Sequence, residues 1–145
     1  MHGSRRGARG FALQVLFALD ANGDEAPREA IDRYGAIFDV ELDAESLRFA
    51  ATLVDRTVKA REVIDAIIGR ASKNWRLERM SRVDRNILRM STCELCDQPE
   101  VPTKVIINEA VELAKEFGAA ESPAFVNGLL DRIAHDVRSP GSESG

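Results

Sequence analysis

Apolar residues recur at intervals of three and four along most of the chain, and this is the period of an amphipathic α-helix. The first such stretch contains Phe11, Val15 and Leu16 and is followed by Asn22-Gly23, a pair typical of a turn. Pro27 suits the first turn of a second helix, because the N–H that proline lacks has no partner there. The pattern predicts two helices before residue 40.

A longer apolar stripe follows, from Ala44 to Ala71. That length is unusual for one helix of a globular protein. The stripe loses its phase near residues 59–62, so we expect the helix to break or bend there. The next stretch, residues 72–82, is polar and has few apolar anchors, Trp75 among them. This change favours a boundary between two halves of the chain.

The second half of the chain repeats the helical pattern. We predict helices over residues 83–97 and 103–117, with Gly118 as a residue that ends the latter. Ser122-Pro123 is a strong start signal for a last helix, because a capping hydroxyl is followed by proline at the first helical position. No stretch shows the sustained period of two that a half-buried strand requires.

These elements predict an all-α fold of about seven helices in two small helical subdomains packed together. The predicted ranges are 1–75 with a basic leader, 76–138, and a disordered tail over 139–145. The 145 residues are 44% hydrophobic and 30% charged, which is the balance of a globular domain. No apolar run approaches the roughly 18 residues of a membrane span, and the N-terminus lacks a signal-peptide core. We therefore expect a cytoplasmic protein without a membrane partner.

Charge is segregated along the chain. The net charge is −4, yet residues 1–19 carry three arginines and no acidic residue, whereas residues 20–45 carry nine acidic residues and two arginines. The three arginines of the leader are Arg5, Arg6 and Arg9, and we expect their side chains to be exposed. Such a leader either holds RNA phosphates or only solubilises the terminus, and its charge alone does not decide between these roles.

A second basic run lies between Lys73 and Arg89. Its basic residues step mostly by three, so on one continuous helix they cannot line a single face. We interpret them as separate contacts around a turn, and expect some to form salt bridges with the acidic second helix, Glu78 or Asp84.

The chain offers little material for catalysis or metal binding. Cys93 and Cys96 form a CxxC pair late in a predicted helix, away from the helix N-terminus that activates a redox thiol, and no second ligand pair completes a zinc site. Three glutamates recur on one side of a helix: Glu109, Glu112 and Glu116. With Lys115 they are better explained as a solvated face with helical ion pairs than as metal ligands. We predict no enzyme activity, no metal and no cofactor.

Phe125 has two opposed interpretations. With Ser122 as cap, Phe125 falls in the first helical turn, and the inward stripe begins one residue later. The ring either stacks on a base beside free backbone N–H groups or closes the core at the end of the bundle.

Several motifs resemble those of one known family. The stretch Val101–Ile133 is similar to the C-terminal signature of the NusB family of bacterial antitermination factors. Its most specific pieces are INEAVELAK (Ile107–Lys115), FG (Phe117–Gly118) and FVNGLLD (Phe125–Asp131). Val83–Leu95 resembles the preceding helix of the family, and Arg5–Phe17 resembles its arginine-rich first helix. The resemblance covers nearly the whole chain, but the second helix and the linker are only loosely similar.

The resemblance implies an all-helical, non-catalytic protein. It implies binding of single-stranded boxA RNA in ribosomal leader transcripts together with ribosomal protein NusE, and indirect action with other Nus factors on RNA polymerase. By position, the implied RNA-binding residues are Arg5, Arg6, Arg9, Lys115, Glu121 and Phe125. The implied NusE-facing residues are Phe17 and Asp84. Gly7 and Gly10 interrupt the leader and favour its disorder in the absence of RNA.

Two other functions stay open at this point. A similar helical domain precedes ribosomal RNA cytosine methyltransferases, so the chain could be a detached RNA-binding domain of such an enzyme. The third hypothesis is a helical adaptor that binds only protein. RNA binding separates this adaptor from the other two hypotheses.

Overall fold

The structure is a computed structural model that describes residues 5–22, 26–37, 42–73 and 75–138. Within these ranges the chain forms seven α-helices: α1 (Arg5–Asn22), α2 (Pro27–Ile37), α3 (Ala44–Lys59), α4 (Arg61–Ser72), α5 (Arg82–Asp97), α6 (Thr103–Phe117) and α7 (Ser122–Val137). The predicted all-α fold is confirmed. The predicted tail, residues 139–145, lies outside the described residues. Over the ranges described, none of the helices is long and apolar enough to cross a membrane.

The long apolar stripe breaks where its phase is lost. Helix α3 ends at Lys59 and α4 begins at Arg61, which confirms the predicted break. By its internal contacts the chain divides at this break into unit 1 (Met1–Lys59) and unit 2 (Ala60–Gly145). This division differs from the predicted ranges 1–75 and 76–138, because α4 packs against α5 and α7. The polar stretch after α4 therefore belongs to unit 2.

Unit 1 is built from the first three helices. Helix α1 packs against α2 and α3, and α2 packs against α3. The start of α3 is fixed by Asp43, whose Oδ1 accepts a hydrogen bond of 2.8 Å from the Ser46 N–H. This backbone hydrogen bond lowers the pKa of Asp43 below its ordinary value of 3.8, because it stabilises the carboxylate form.

Unit 2 is organised around α5. Residues 86–95 of this helix are all buried, although the apolar pattern predicts only Ile87, Leu88, Ser91 and Leu95 as inward positions. Burial on every side places polar side chains out of water, so they need partners. The Asn86 amide finds one within α5, where its Nδ2 donates to the Arg82 carbonyl oxygen at 2.8 Å.

The buried Arg89 of α5 is held by a partly exposed carboxylate. Its Nε and Nη2 donate to the two carboxylate oxygens of Asp65 in α4, at 2.8 and 3.0 Å. This partner, Asp65, is not among the acidic residues that the sequence suggested for some members of the basic run. The sequence could not reveal this partner, because Asp65 lies on the exposed flank of the α4 apolar stripe and is 24 residues away.

A second arginine pins the turn between α5 and α6. Arg138, at the end of α7, is buried and donates four hydrogen bonds of 2.7 to 3.1 Å. The acceptors are the carbonyl oxygens of Leu95, Gln98 and Val101 and the hydroxyl of Thr103. One side chain thus satisfies acceptors from the end of α5 to the start of α6.

The turn between α6 and α7 requires glycine for lack of space. Gly118 is the C-cap of α6, with extended backbone at φ −98°. A Cβ at this position would come within 2.7 Å of the Ser122 side chain and 2.8 Å of the Ala114 carbonyl oxygen. Glycine at this position therefore allows α7 to begin close against the end of α6.

Candidate RNA and partner interface

The basic leader is part of α1. The helix begins at Arg5, so the expectation that Gly7 and Gly10 would leave the leader disordered is wrong. Arg5 and Arg6 are exposed, as expected, but Arg9 is only 6% exposed, so the prediction of an exposed Arg9 is wrong.

The guanidinium groups of the leader contact an aromatic ring of α3. The guanidinium carbon of Arg5 lies 4.1 Å from the centre of the Phe49 ring, and that of Arg9 lies 5.4 Å from it. Both are cation–π distances, and this interaction also orients the planar groups. Arg5 keeps one side open to solvent, whereas Arg9 is enclosed. The leader therefore offers Arg5 and Arg6 to a ligand and uses Arg9 in packing.

Unit 2 contains a cleft that collects several predicted site residues. The cleft has a volume of about 400 Å³. It is lined by Trp75, Arg79, Met80, Ser81, Asp84, Ala119, Glu121, Ser122 and Phe125. Glu121 and Phe125, predicted to face RNA, thus share one cleft with Asp84, predicted to face the protein partner. The sequence could not place these three together, because about forty residues separate Asp84 from the other two.

Asp84 is fixed in the first turn of α5. The backbone N–H of Asp84 donates to the Oγ of Ser81, the N-cap of this helix, at 3.0 Å. A carboxylate in this turn is stabilised by the helix dipole. Its Oδ1 is buried and has no hydrogen-bond partner among the described residues. Asp84 therefore brings a carboxylate to the lining of the cleft.

The start of α7 differs from the predicted cap. Ser122 is the first residue of the helix and not its cap, and Glu121 occupies the N-cap position without a capping hydrogen bond from its side chain. The Ser122 hydroxyl instead accepts a hydrogen bond of 3.0 Å from the Ala119 N–H. The N–H groups of Ser122 and Phe125 are bonded to the carbonyl oxygens of Ala119 and Glu121. The prediction of free N–H groups beside Phe125 for a phosphate is therefore wrong for these two groups.

Two aromatic rings line the cleft. Phe125 is half-buried, which leaves part of its ring available. Trp75 is 50% exposed, and sequence reasoning used it only as an apolar anchor. The signal that could have identified it is its place as the sole tryptophan in a polar stretch. Two partly open rings with a carboxylate suit a flat ligand that carries hydrogen-bond donors.

Lys115 and Phe17 lie outside this cleft. Lys115 is exposed on α6 and pairs with Glu112 at 3.3 Å, an ion pair of the kind predicted for this face. Phe17 is 38% exposed on α1, in unit 1. The site residues thus belong to the leader, the cleft, the α6 surface and the α1 surface.

The CxxC pair has the character of structural thiols. Cys93 is buried, and its Sγ lies 3.6 Å from Asp97 Oδ2. Cys96 is exposed, but partial desolvation of its thiol raises the pKa, and the charge of Asp97 raises it further. A raised pKa disfavours the thiolate needed for redox chemistry or metal binding. Over the described ranges, no group of three or more His, Cys, Asp or Glu side chains is placed to hold a metal ion.

Solved structures resemble this fold over nearly its whole length. T. maritima NusB matches with a TM-score of 0.86 and 34% identity, covering 98% of each chain. A structure of the antitermination factors NusB and NusE in complex with double-stranded RNA contains a chain that matches with a TM-score of 0.82 and 30% identity, covering 91% of this chain and 96% of that one.

Sequence comparisons agree with the structural ones. Transcription antitermination protein NusB of Sorangium cellulosum (strain So ce56) is 47% identical over 93% of this chain and 94% of that protein. The protein of the same name from Myxococcus xanthus (strain DK1622) is 46% identical over 95% of this chain and 99% of that protein. A sequence profile described as the NusB family matches residues 6–135. On this sequence and structural similarity, the chain belongs to the NusB family.

Proposed function

We propose that the chain is a non-enzymatic transcription antitermination factor that binds boxA-type single-stranded RNA together with ribosomal protein NusE. The observation that carries this proposal is the cleft of unit 2, where Phe125, Trp75 and Asp84 surround one space. Two relatives at 46–47% identity, both named antitermination proteins, match this chain over nearly their whole length. This match disfavours a detached methyltransferase domain. A protein-only adaptor is disfavoured by the similarity to a chain from a complex that contains RNA.

The proposed RNA contacts combine charge and stacking. Arg5 and Arg6 contact phosphates, and Arg9 supports them by packing against Phe49. Phe125 stacks on a base in the cleft, and Glu121 lies at the same cleft. Lys115 adds a phosphate contact from the exposed surface of α6.

The proposed NusE contacts are Phe17 on α1 and Asp84 in the cleft. Asp84 lines the cleft, and its carboxylate is an acceptor that suits a hydrogen-bond donor from NusE. Through NusE and further Nus factors the complex acts indirectly on RNA polymerase. A role on nascent bacterial transcripts favours a cytoplasmic location, which is part of this proposal.

The leader is tested by titrating a labelled boxA-type RNA over a salt series. We expect Arg5→Ala/Arg6→Ala to weaken binding and to reduce the salt slope by about 1.4 log units, because each lost single-strand phosphate contact removes about 0.7. The matched control is Arg70→Ala/Arg132→Ala, which removes two exposed arginines elsewhere. Equal slopes for the two double variants would exclude the leader as the phosphate site.

Phe125 is tested by measuring RNA affinity and stability together. Loss of a stacked base weakens RNA binding by about 1–3 kcal/mol, so Phe125→Ala should bind roughly 5- to 150-fold less tightly. Phe125→Tyr keeps the ring and should retain RNA binding. A large fall in the melting temperature of Phe125→Ala, with RNA affinity preserved at low temperature, would assign the ring to the core instead.

The partner surface is tested with purified NusE. Phe17→Ala should weaken NusE binding and leave RNA binding by the isolated protein unchanged. Asp84→Asn should also weaken NusE binding. The RNA affinity of this variant shows whether the cleft holds NusE alone or both NusE and RNA. RNA and NusE should increase the affinity of each other by the same factor. Unchanged NusE affinity in both variants would contradict this assignment.

A further inference from the structure

Unit 1 carries a groove that none of the predicted site residues lines. The groove lies along α2 and α3 and has a volume of about 570 Å³. Its lining residues are Pro27, Arg28, Ile31, Arg48, Ala51, Thr52, Asp55, Arg56 and Lys59. It is larger than the cleft of unit 2 and differs from it in charge.

The groove is basic, although the neighbouring sequence is acidic. Four of its lining side chains are cations and one, Asp55, is an anion. Asp55 pairs with Lys59 at 3.1 Å, but both side chains are well exposed, so the pair is weak. Arg28, Arg48 and Arg56 are exposed. Within the described ranges no hydrogen bond or ion pair engages Arg28 or Arg56.

The cations of α3 form an extended row. Arg48, Arg56 and Lys59 lie on one side of the helix, opposite the buried Ala50, Leu53, Val54 and Thr57. Eleven residues separate the first and last of these cations, which corresponds to about 16 Å along the axis. A single small anion cannot reach cations spread over this length. A chain of phosphates can, because each guanidinium can hold phosphate oxygens with two parallel hydrogen bonds.

The groove and the leader meet on the same helix. Arg5 lies over the Phe49 ring, and Phe49 directly follows Arg48 of the groove. A nucleic acid strand held at Arg5 therefore lies against α3, the helix that carries the row of cations. Continuity with this surface favours RNA as the occupant over an acidic protein segment.

We propose that the groove of α2 and α3 binds the sugar–phosphate backbone of RNA that flanks the segment held by the leader. The contact is independent of base sequence, since it uses cations and phosphates only. This inference rests on the proposed RNA-binding function and extends the length of RNA that the protein occupies.

The test compares two RNAs, a short boxA-type strand and the same strand with a non-specific extension at each end. The groove variant is Arg28→Gln/Arg48→Gln/Arg56→Gln. The control is Arg70→Gln/Lys104→Gln/Arg132→Gln, which removes three exposed cations outside the groove. Wild-type protein should bind the extended strand more tightly and with a steeper salt slope than the short strand.

For the extended strand, the groove variant should lose tenfold or more in affinity and about two log units of salt slope relative to the control. For the short strand, the groove variant and the control should agree. Melting temperatures measured by circular dichroism should also agree, because all six side chains are exposed.

Three results would overturn the inference. If wild type binds the short strand but gains nothing from the extension, the groove does not bind RNA and the proposed function stands. If wild type binds neither strand, the proposed function fails as well. If the groove variant binds the extended strand as tightly as the control does, the groove does not bind RNA. A loss of polyglutamate binding in the same variant would then assign the groove to an acidic protein segment.

Discussion

Arg138 provides the sharpest test of how unit 2 is held together. Its guanidinium donates to three carbonyl oxygens and one hydroxyl at the turn between α5 and α6. The substitution Arg138→Met keeps most of the apolar stem and removes every donor, so it isolates the hydrogen bonds from the packing. The same positive charge also lies near the C-terminus of α5, where the helix dipole favours a cation.

The expected cost follows from the number of acceptors that water cannot reach. A hydrogen bond from a charged donor contributes about 1.5–3 kcal/mol to stability. Leu95 is buried, whereas Gln98, Val101 and Thr103 are half-buried and can be partly rehydrated. We therefore count the equivalent of two hydrogen bonds, or about 3–6 kcal/mol. That is a large part of the roughly 5–15 kcal/mol that stabilises a typical domain.

The assay is guanidinium denaturation and thermal melting followed by far-ultraviolet circular dichroism. Arg138→Met should lower the melting temperature by about 10–20 °C. The melting temperature of Arg138→Lys should lie between those of Arg138→Met and wild type, because a compact ammonium group cannot reach all four acceptors. Arg132→Met, on the exposed side of α7, is the matched control and should change stability by less than about 0.5 kcal/mol. Equal stabilities for the variants at 132 and 138 would refute the pinning role.

Three further predictions concern single contacts. Gly118→Ala should destabilise the protein by about 1–3 kcal/mol, because the added Cβ meets Ser122 and Ala114. Gly128→Ala has open space around the added Cβ and should stabilise the protein by up to about 1 kcal/mol. Thermal melts of both variants test this difference. Asp65→Ala should cost about 2–4 kcal/mol by removing the carboxylate that pairs with the buried Arg89 guanidinium, and Asp65→Ala/Arg89→Met should recover part of the loss in denaturant titrations. Asp43 has a lowered pKa, so its stabilising contribution is present above pH 3.8 and disappears as the pH falls through the folded-state pKa. Asp43→Asn should therefore flatten the acid part of the curve of stability against pH. An unchanged curve would contradict the role of Asp43 as the cap of α3.

The sequence predicted the helices well because their signals are local. Loss of phase in the apolar stripe is visible within a few residues, and the break between α3 and α4 falls inside the predicted interval. The prediction of Ser122 as the N-cap of α7 was wrong for a related reason. A hydroxyl before proline is a local signal for an N-cap, but here Ser122 is already the first helical residue and its hydroxyl accepts a hydrogen bond from the Ala119 N–H in the preceding turn.

The sites were harder to predict because they depend on contacts between distant segments. Arg9 looks as exposed as Arg5 in the sequence, but in the fold Arg9 is buried and Arg5 is exposed, although both guanidinium groups lie near the Phe49 ring of α3. Likewise Asp84 and Phe125 belong to motifs that the resemblance assigns to different ligands. Their common cleft follows from the packing of α5 with α7, which no local pattern encodes.

The stack of Arg5 on Phe49 has a consequence for the entropy of RNA binding. An arginine that is free in solution loses rotamer freedom when it grips a phosphate, at a cost of about 0.5–1.5 kcal/mol for an immobilised side chain. Arg5 has given up part of that freedom before RNA arrives, because its guanidinium already lies 4.1 Å from the ring centre. Salt dependence reports how many counterions are released and does not register this saving. Two NusB-family proteins with the same number of phosphate contacts can therefore share a salt slope and still differ in affinity, according to whether a ring holds the leader arginine in place.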